Sequence, residues 1–123
     1  MKECSGPIDQ SILSTILMLR KAGKPDPLER IVNVFISYSA DLIGYMEDAI
    51  HQDDSKAIQN TAHTLKSSSG NIGALRLSTL CRHLEAAGEK GSMEKARLLV
   101  ADIRREHQCV KDALAEYLKT HGI

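Results

Sequence analysis

A chain of 123 residues carrying 42% hydrophobic residues is the size of one domain, long enough to bury a core without disulfide or metal staples. Its aromatic share is only 3%, with no Trp, and Gly and Pro are few, which disfavours a β-sandwich or barrel and favours helix. Sixteen basic residues balance sixteen acidic ones, so neither the positive excess of a nucleic-acid binder nor a basic membrane-binding face is present.

Residues 1–7 read as a flexible tail. Asp9 is placed to cap a first helix over about 10–21, with Ile12, Ile16 and Leu19 at helical spacing and Gly23 after it. Asp26, Pro27 and Glu29 form a capping-box pattern for a second helix. It runs through Leu28, Ile31, Phe35, Leu42, Met46 and Ile50 to about residue 51. Asp53 or Asp54 caps a third helix reaching about Asn71, and Gly73 supplies a turn. A fourth helix carries Leu77, Leu80, Leu84 and Ala87 and is expected to end at Gly88. Ser92 then caps a fifth, whose seam is Ala96, Val100, Ile103, His107, Val110, Leu114 and Tyr117.

No strand-like alternation, repeat or low-complexity stretch interrupts this pattern. The fold expected is all-α: an antiparallel four-helix bundle over residues 8–119 with an additional short N-terminal helix, flanked by the 1–7 tail and a 120–123 tail. Cys4, Cys81 and Cys109 form no zinc or redox motif and read as three free thiols in a reducing cytoplasm. No stretch is long and apolar enough to span a bilayer, and no signal-peptide core follows Met1.

The third helix holds the chemistry. On a wheel of about 100° per residue with His63 at zero, Gly70 falls near −20°, Lys56 near +20°, Gln59 near −40°, Ser67 near +40° and Lys66 near −60°. Thr61, Leu65 and Ile72 lie at roughly 160–200°, with Ile58 and Ser68 beside them, so that face is the expected core and His63 faces water. Imidazoles titrate near neutrality and attack phosphorus when uncharged. Lys66, one turn on, is placed to offset the roughly two negative charges of a phosphoryl group. Gly70 costs a helix interior about 1 kcal/mol relative to Ala and leaves open space beside His63 for another protein's active site.

The run His63-Thr-Leu-Lys-Ser-Ser-Ser-Gly-Asn-Ile-Gly-Ala74 resembles the signature of histidine-containing phosphotransfer (HPt) domains, roughly H-x-L-K-G-x-x-x-x-[ILV]-G-A. The likeness extends over about residues 8–118. It includes Ile8-Asp9, the Gly23-Lys-Pro-Asp26 run, Phe35, Asp53-Asp54 and Cys81-x-x-Leu84-Glu85. The resemblance implies that His63 is transiently phosphorylated, that Lys66 stabilises the phosphoryl group and that Gly70 makes room for the partner. Ser67 stands where many members have Gly; it is small, and its hydroxyl is within reach of the phosphoryl group or the imidazole. Gln59 and Ser67 are the further docking candidates, and an apolar patch from helices two and three is expected around the histidine.

By this reading the imidazole takes a phosphoryl group from the aspartyl phosphate of one receiver domain and passes it to another. A hybrid sensor histidine kinase stands upstream, and this chain is either free-standing or one of its modules. Mg²⁺ is expected in the receiver, and no cofactor or metal here. No P-loop or kinase Gly-rich loop is present, so self-phosphorylation from ATP is not expected. The chain is expected to be a cytoplasmic monomer. A phosphate-free helical adaptor is the competing reading. A helix-turn-helix DNA binder lacks the basic cluster, and a dimeric histidine-kinase core would need an acid where Thr64 stands. His107, on the fifth-helix seam, reads as a neutral core histidine rather than a ligand, while His51, His83 and His121 lack metal-ligand spacing. Arg104, Arg105 and Lys111 read as a solvated face.

Overall fold

A computed structural model describes Cys4, residues 6–24 and residues 26–123. Most of the expected 1–7 tail (1–3 and 5) lies outside the described residues. Among those described there are five helices and no strand: α1 (Gln10–Leu17), α2 (Pro27–His51), α3 (Ser55–Asn71), α4 (Leu75–Lys90) and α5 (Met93–Thr120).

Three N-termini are capped as the aspartates dictate. Asp9 accepts from the Ser11 N–H, Asp26 from Leu28 with Pro27 in the first turn, and Asp54 from Ala57. Ser92 stands at the N-cap of α5, but its hydroxyl makes no capping bond. Helix α1 is shorter than expected. Met18 and Leu19 are exposed, so no core rewards another helical turn, and the chain leaves in i→i+3 turns over Leu19 and Arg20. Helix α4 is longer: Gly88 lies buried inside it, and the left-handed cap is Gly91 at φ 70°.

Connections of two or three residues join α2 to α5 in sequence, which makes neighbours antiparallel. Each packs on the next and α5 closes the ring against α2, with α3 and α4 the most intimate pair. The seven-residue seam expected on α5 is buried throughout, centred on Ile103, Val110 and Leu114. On α2 the buried stripe is Leu28, Val32, Phe35, Ser39, Leu42, Ile43, Met46 and Ala49; Ile31, expected in the core, is 40% exposed instead. On α3 the buried residues are Ile58, Ala62, Leu65 and Ser69. The core axis is thus turned by about 50° from the expected axis through Thr61, Leu65 and Ile72, toward α4.

Two glycines set the helix positions. At Gly88 a Cβ would stand 3.0 Å from Ser55 O and from the Gln59 backbone N, so α4 approaches α3 almost backbone to backbone. At Gly73, φ is 87° and a Cβ would stand 2.8 Å from Asp9 O; the Asp9 N–H donates to Gly73 O at 2.8 Å, which ties α1 to the α3–α4 turn. Ser14 Oγ and Tyr117 OH, 3.1 Å apart, fasten α1 to α5. Residues 120–123 stay on the end of α5, where His121 stacks on Tyr117 and the Ile123 N–H donates to Leu118 O.

The expectation of three free thiols is corrected. Cys4 and Cys109 form a disulfide that fastens the N-terminal segment to α5, with Cα atoms 5.5 Å apart. Residues 105 apart in the chain give no local spacing pattern, so only the folded arrangement reveals the pair. Cys81 alone is free, and it is buried.

Candidate functional site

His63 projects from the middle of α3 with its side chain 61% exposed. Its core-facing neighbours Ala62 and Leu65 are fully buried and hold the helix in this rotation. Deleting Leu65 to Ala in such a setting costs about 2–5 kcal/mol, so the orientation of His63 is enforced by the core.

The imidazole is not free to spin. Its Nδ1 lies 2.8 Å from Glu85 Oε2, and the Nζ of Lys66 lies 2.7 Å from Oε1 of the same carboxylate. Glu85 comes from α4, one turn before Gly88, so the close α3–α4 approach brings it within reach. The Lys66 bond, with help from His63, holds the Glu85 carboxyl below the usual carboxylate range and keeps it ionised at neutral pH. An ionised carboxylate can only accept, so Nδ1 carries the proton and donates. Nε2, without a partner among the described residues, is then the ring nitrogen with the lone pair.

Around this pair the other expected residues fall into place unevenly. Lys66 is half-buried, and its carbonyl accepts from Ser78 Oγ of α4 at 2.9 Å. Ser67 is exposed, and its hydroxyl donates back to His63 O at 3.4 Å rather than to the ring. Gly70 lies on the same side, where a Cβ would meet only Ser78 Oγ, at an ordinary 3.6 Å. The bundle's own packing therefore does not require glycine there. Gln59 is half-buried on the flank facing α4, its backbone beside Gly88, and Lys56 is exposed. Burial pushes the Cys81 thiol up to about 12 despite nearby Lys66, so it is no nucleophile.

Beside the histidine, α2 and α3 frame an open groove of about 320 Å³. Ile31, Val34 and Tyr38 line it from α2 and Ser68 and Asn71 from α3, one or two turns along from His63. Val34 is 62% exposed and Tyr38 47%, so this is apolar surface left open by the fold. Glu85 was not singled out as a site residue by sequence. No local spacing ties it to His63 and Lys66, because it reaches them from α4, which also carries Glu89 beside its core stripe.

Elsewhere, His107 is buried, with Nε2 2.7 Å from Ser39 Oγ, and burial lowers its pKa to about 4. It is the neutral core histidine the seam predicted. Arg104 is exposed but not merely solvated: it makes a two-pronged bond to Glu47 of α2, at 2.6 and 2.5 Å. No helix among the described residues is long and apolar enough to cross a membrane. No group of three or more His, Cys, Asp or Glu among them could hold a metal ion.

The chain matches the Hpt domain family over residues 30–119, and it belongs to that family. It is 25% identical over 116 residues to histidine-containing phosphotransfer protein 1 of Arabidopsis thaliana, covering 93% of this chain and 75% of that protein. It is 26% identical over 103 residues to pseudo histidine-containing phosphotransfer protein 2 of rice (Oryza sativa subsp. japonica), covering 82% and 68%. Its fold resembles that of HptB from Pseudomonas aeruginosa PAO1, with a TM-score of 0.82, 23% identity and coverage of 93% and 96%. It also resembles MtHPt2 of Medicago truncatula, with a TM-score of 0.79, 25% identity and coverage of 96% and 85%. The protein is thus a histidine phosphotransfer domain of two-component phosphorelay signalling, a phosphocarrier whose partners are receiver domains. The phosphate-free adaptor is not favoured.

Proposed function

We propose that His63 is the phosphoacceptor, that Nε2 is the attacking atom, and that Lys66 stabilises the group it carries. The observation that supports this most is the combination of an exposed ring with a fixed orientation: Nδ1 is held by Glu85 while Nε2 has no partner among the described residues. Nε2 attacks the phosphorus of a receiver's aspartyl phosphate, and the aspartate leaves as carboxylate. The reverse step, on a second receiver, regenerates the free ring. The work of this chain is positioning and charge stabilisation; the Mg²⁺ and acidic pocket belong to the receiver. It takes its phosphoryl groups from receivers rather than ATP, including that of a hybrid sensor histidine kinase, and works as a cytoplasmic monomer.

The receiver docks over Gly70 and Ser67 and against the groove edged by Ile31, Val34 and Tyr38. An open apolar strip beside a polar reactive face suits a modest, transient interface. Gln59, on the opposite flank, borders the same face. The test mixes a phosphorylated receiver with this protein and with His63→Gln. Acid-labile, base-stable label on the wild type alone is expected. Equal labelling of His63→Gln overturns the assignment.

A further inference from the structure

The Cys4–Cys109 bond takes no part in the chemistry proposed for His63, and both of its residues are open to solvent: Cys4 is exposed and Cys109 half-buried. We propose that Cys4 and Cys109 form a reversible thiol–disulfide exchange site, closed by a small-molecule disulfide and opened by its thiol, which latches the segment leading into α1 onto α5. This inference rests on the cytoplasmic setting and the receiver docking of the proposed function, and not on which residue carries the phosphoryl group.

Reversibility follows from setting and access. Glutathione keeps thiols reduced in a cytoplasm, and a disulfide formed there is characteristically transient. An exposed disulfide is also the labile kind, because exchange needs an attacking thiolate to reach a sulfur. Nor does the fold call for a staple: a continuous core runs through all five helices in a chain large enough to sustain one. The third thiol stays out of the exchange. Cys81 is buried, and burial holds it up at about 12, so it forms no thiolate at neutral pH.

The chemistry balances with a small disulfide as the oxidant. The thiolate of Cys4, the more exposed of the two, attacks one sulfur of that disulfide, and a small thiolate leaves. The Cys109 thiolate then attacks Cys4 Sγ in the mixed disulfide, and the second small thiolate leaves. Two protein thiols are oxidised to one disulfide, the small disulfide is reduced to two thiols, and the two protons end on those thiols. Opening runs the same steps in reverse.

The bond acts on the least firmly held helix. Helix α1 is eight residues long, with Leu13 its one buried residue and sparse contacts to the other helices. Beyond Cys4, Ile8 packs at the edge of the core, and the Asp9 N–H donates to Gly73 O at 2.8 Å. The segment from Cys4 to Asp9 thus connects α5 to the α3–α4 turn. That turn starts where the docking groove ends, since Asn71 and Ile72 line the groove and Gly73 follows. With the disulfide open, α1 is left with Leu13, the Asp9–Gly73 bond and the Ser14–Tyr117 contact, and its local opening releases the turn. The ring of His63, two turns back along α3, keeps its Glu85 partner in both states. Redox state therefore acts on receiver docking rather than on the attacking atom.

The test uses the intact protein and its Cys4→Ser and Cys109→Ser variants. Thiol trapping after equilibration in glutathione buffers, from cytosolic to oxidising poise, gives the closed fraction. Expected for the wild type is a bond largely open at the reducing end and closed at the oxidising end. A bond closed throughout is a permanent staple and one open throughout is no site; either overturns the proposal. Amide hydrogen exchange then compares the two states. The Asp9 and α1 amides should exchange about tenfold faster or more when the bond is open, and both serine variants should match the reduced wild type in every buffer. In transfer assays the half-saturating receiver concentration should rise several-fold on opening, while the rate at saturation holds. Equal exchange in the two states, or a receiver concentration that does not move, would overturn the proposal as well. A wild type that takes no label from any receiver would instead sink the role of His63, while trapping and exchange still decide whether the latch exists.

Discussion

Nothing inside the bundle calls for glycine at Gly70. A Cβ there would touch only Ser78 Oγ at 3.6 Å, and any other residue would favour the helix by up to about 1 kcal/mol. Gly70→Leu is therefore expected to leave thermal stability unchanged or raised, while slowing transfer from a receiver by about tenfold or more because the added bulk stands beside His63. Calorimetry and a transfer assay on the same sample check this; unchanged transfer would remove Gly70 from the interface. His107 makes the opposite case, a residue explained by the interior. Its folded pKa of about 4 lies below the ordinary 6.5, so the unfolded chain binds a proton in that interval and the folded one does not. Stability from this group is complete above about 6.5 and falls as pH drops toward about 4, by at most about 3 kcal/mol. Denaturant melts across that range should show the slope, and His107→Leu should flatten it.

At the scale of elements, the decisive contact is α3 on α4. Gly88 permits it, and Glu85, one turn earlier, uses it to reach His63 and Lys66. Gly88→Val should cost about 1–3 kcal/mol by forcing side-chain carbons against the Ser55 and Gln59 backbone. It should also slow phosphoacceptance by moving Glu85 away from the ring, which urea melts and transfer kinetics together would show. Unimpaired transfer in a destabilised variant would separate the helix spacing from the site. This contact is also where sequence reasoning stopped short. The α5 seam was fully legible because large apolar residues recur there at threes and fours. On α3 the competing positions are Thr61 and Ser68 against Ala62 and Ser69, all small, so hydrophobic spacing cannot say which pair faces inward. The glycine of α4 decides, and it lies 26 residues beyond Ala62 in the chain. Ile31 was misassigned for a related reason: α2 has apolar residues on two faces, and one of them is the open groove.

For the molecule as a whole, the bundle does two jobs with one set of helices. Its interior fixes the rotation of α3, and its exterior leaves the polar face of His63 beside an apolar strip, an open arrangement that suits a phosphocarrier whose partners are other proteins. The histidine motif and the bundle were readable because both are local or periodic patterns. The Cys4–Cys109 bond and the Glu85 bridge were not, since each joins residues that only the tertiary fold brings together.

The central claim is that His63 Nε2 carries the phosphoryl group, and it is tested most directly by ¹⁵N–³¹P correlation on the protein charged from a receiver. The account predicts a single N–P coupling to Nε2 of His63, with the other ring nitrogen still protonated. Coupling to Nδ1, or a phosphoryl group on any other residue, would contradict it.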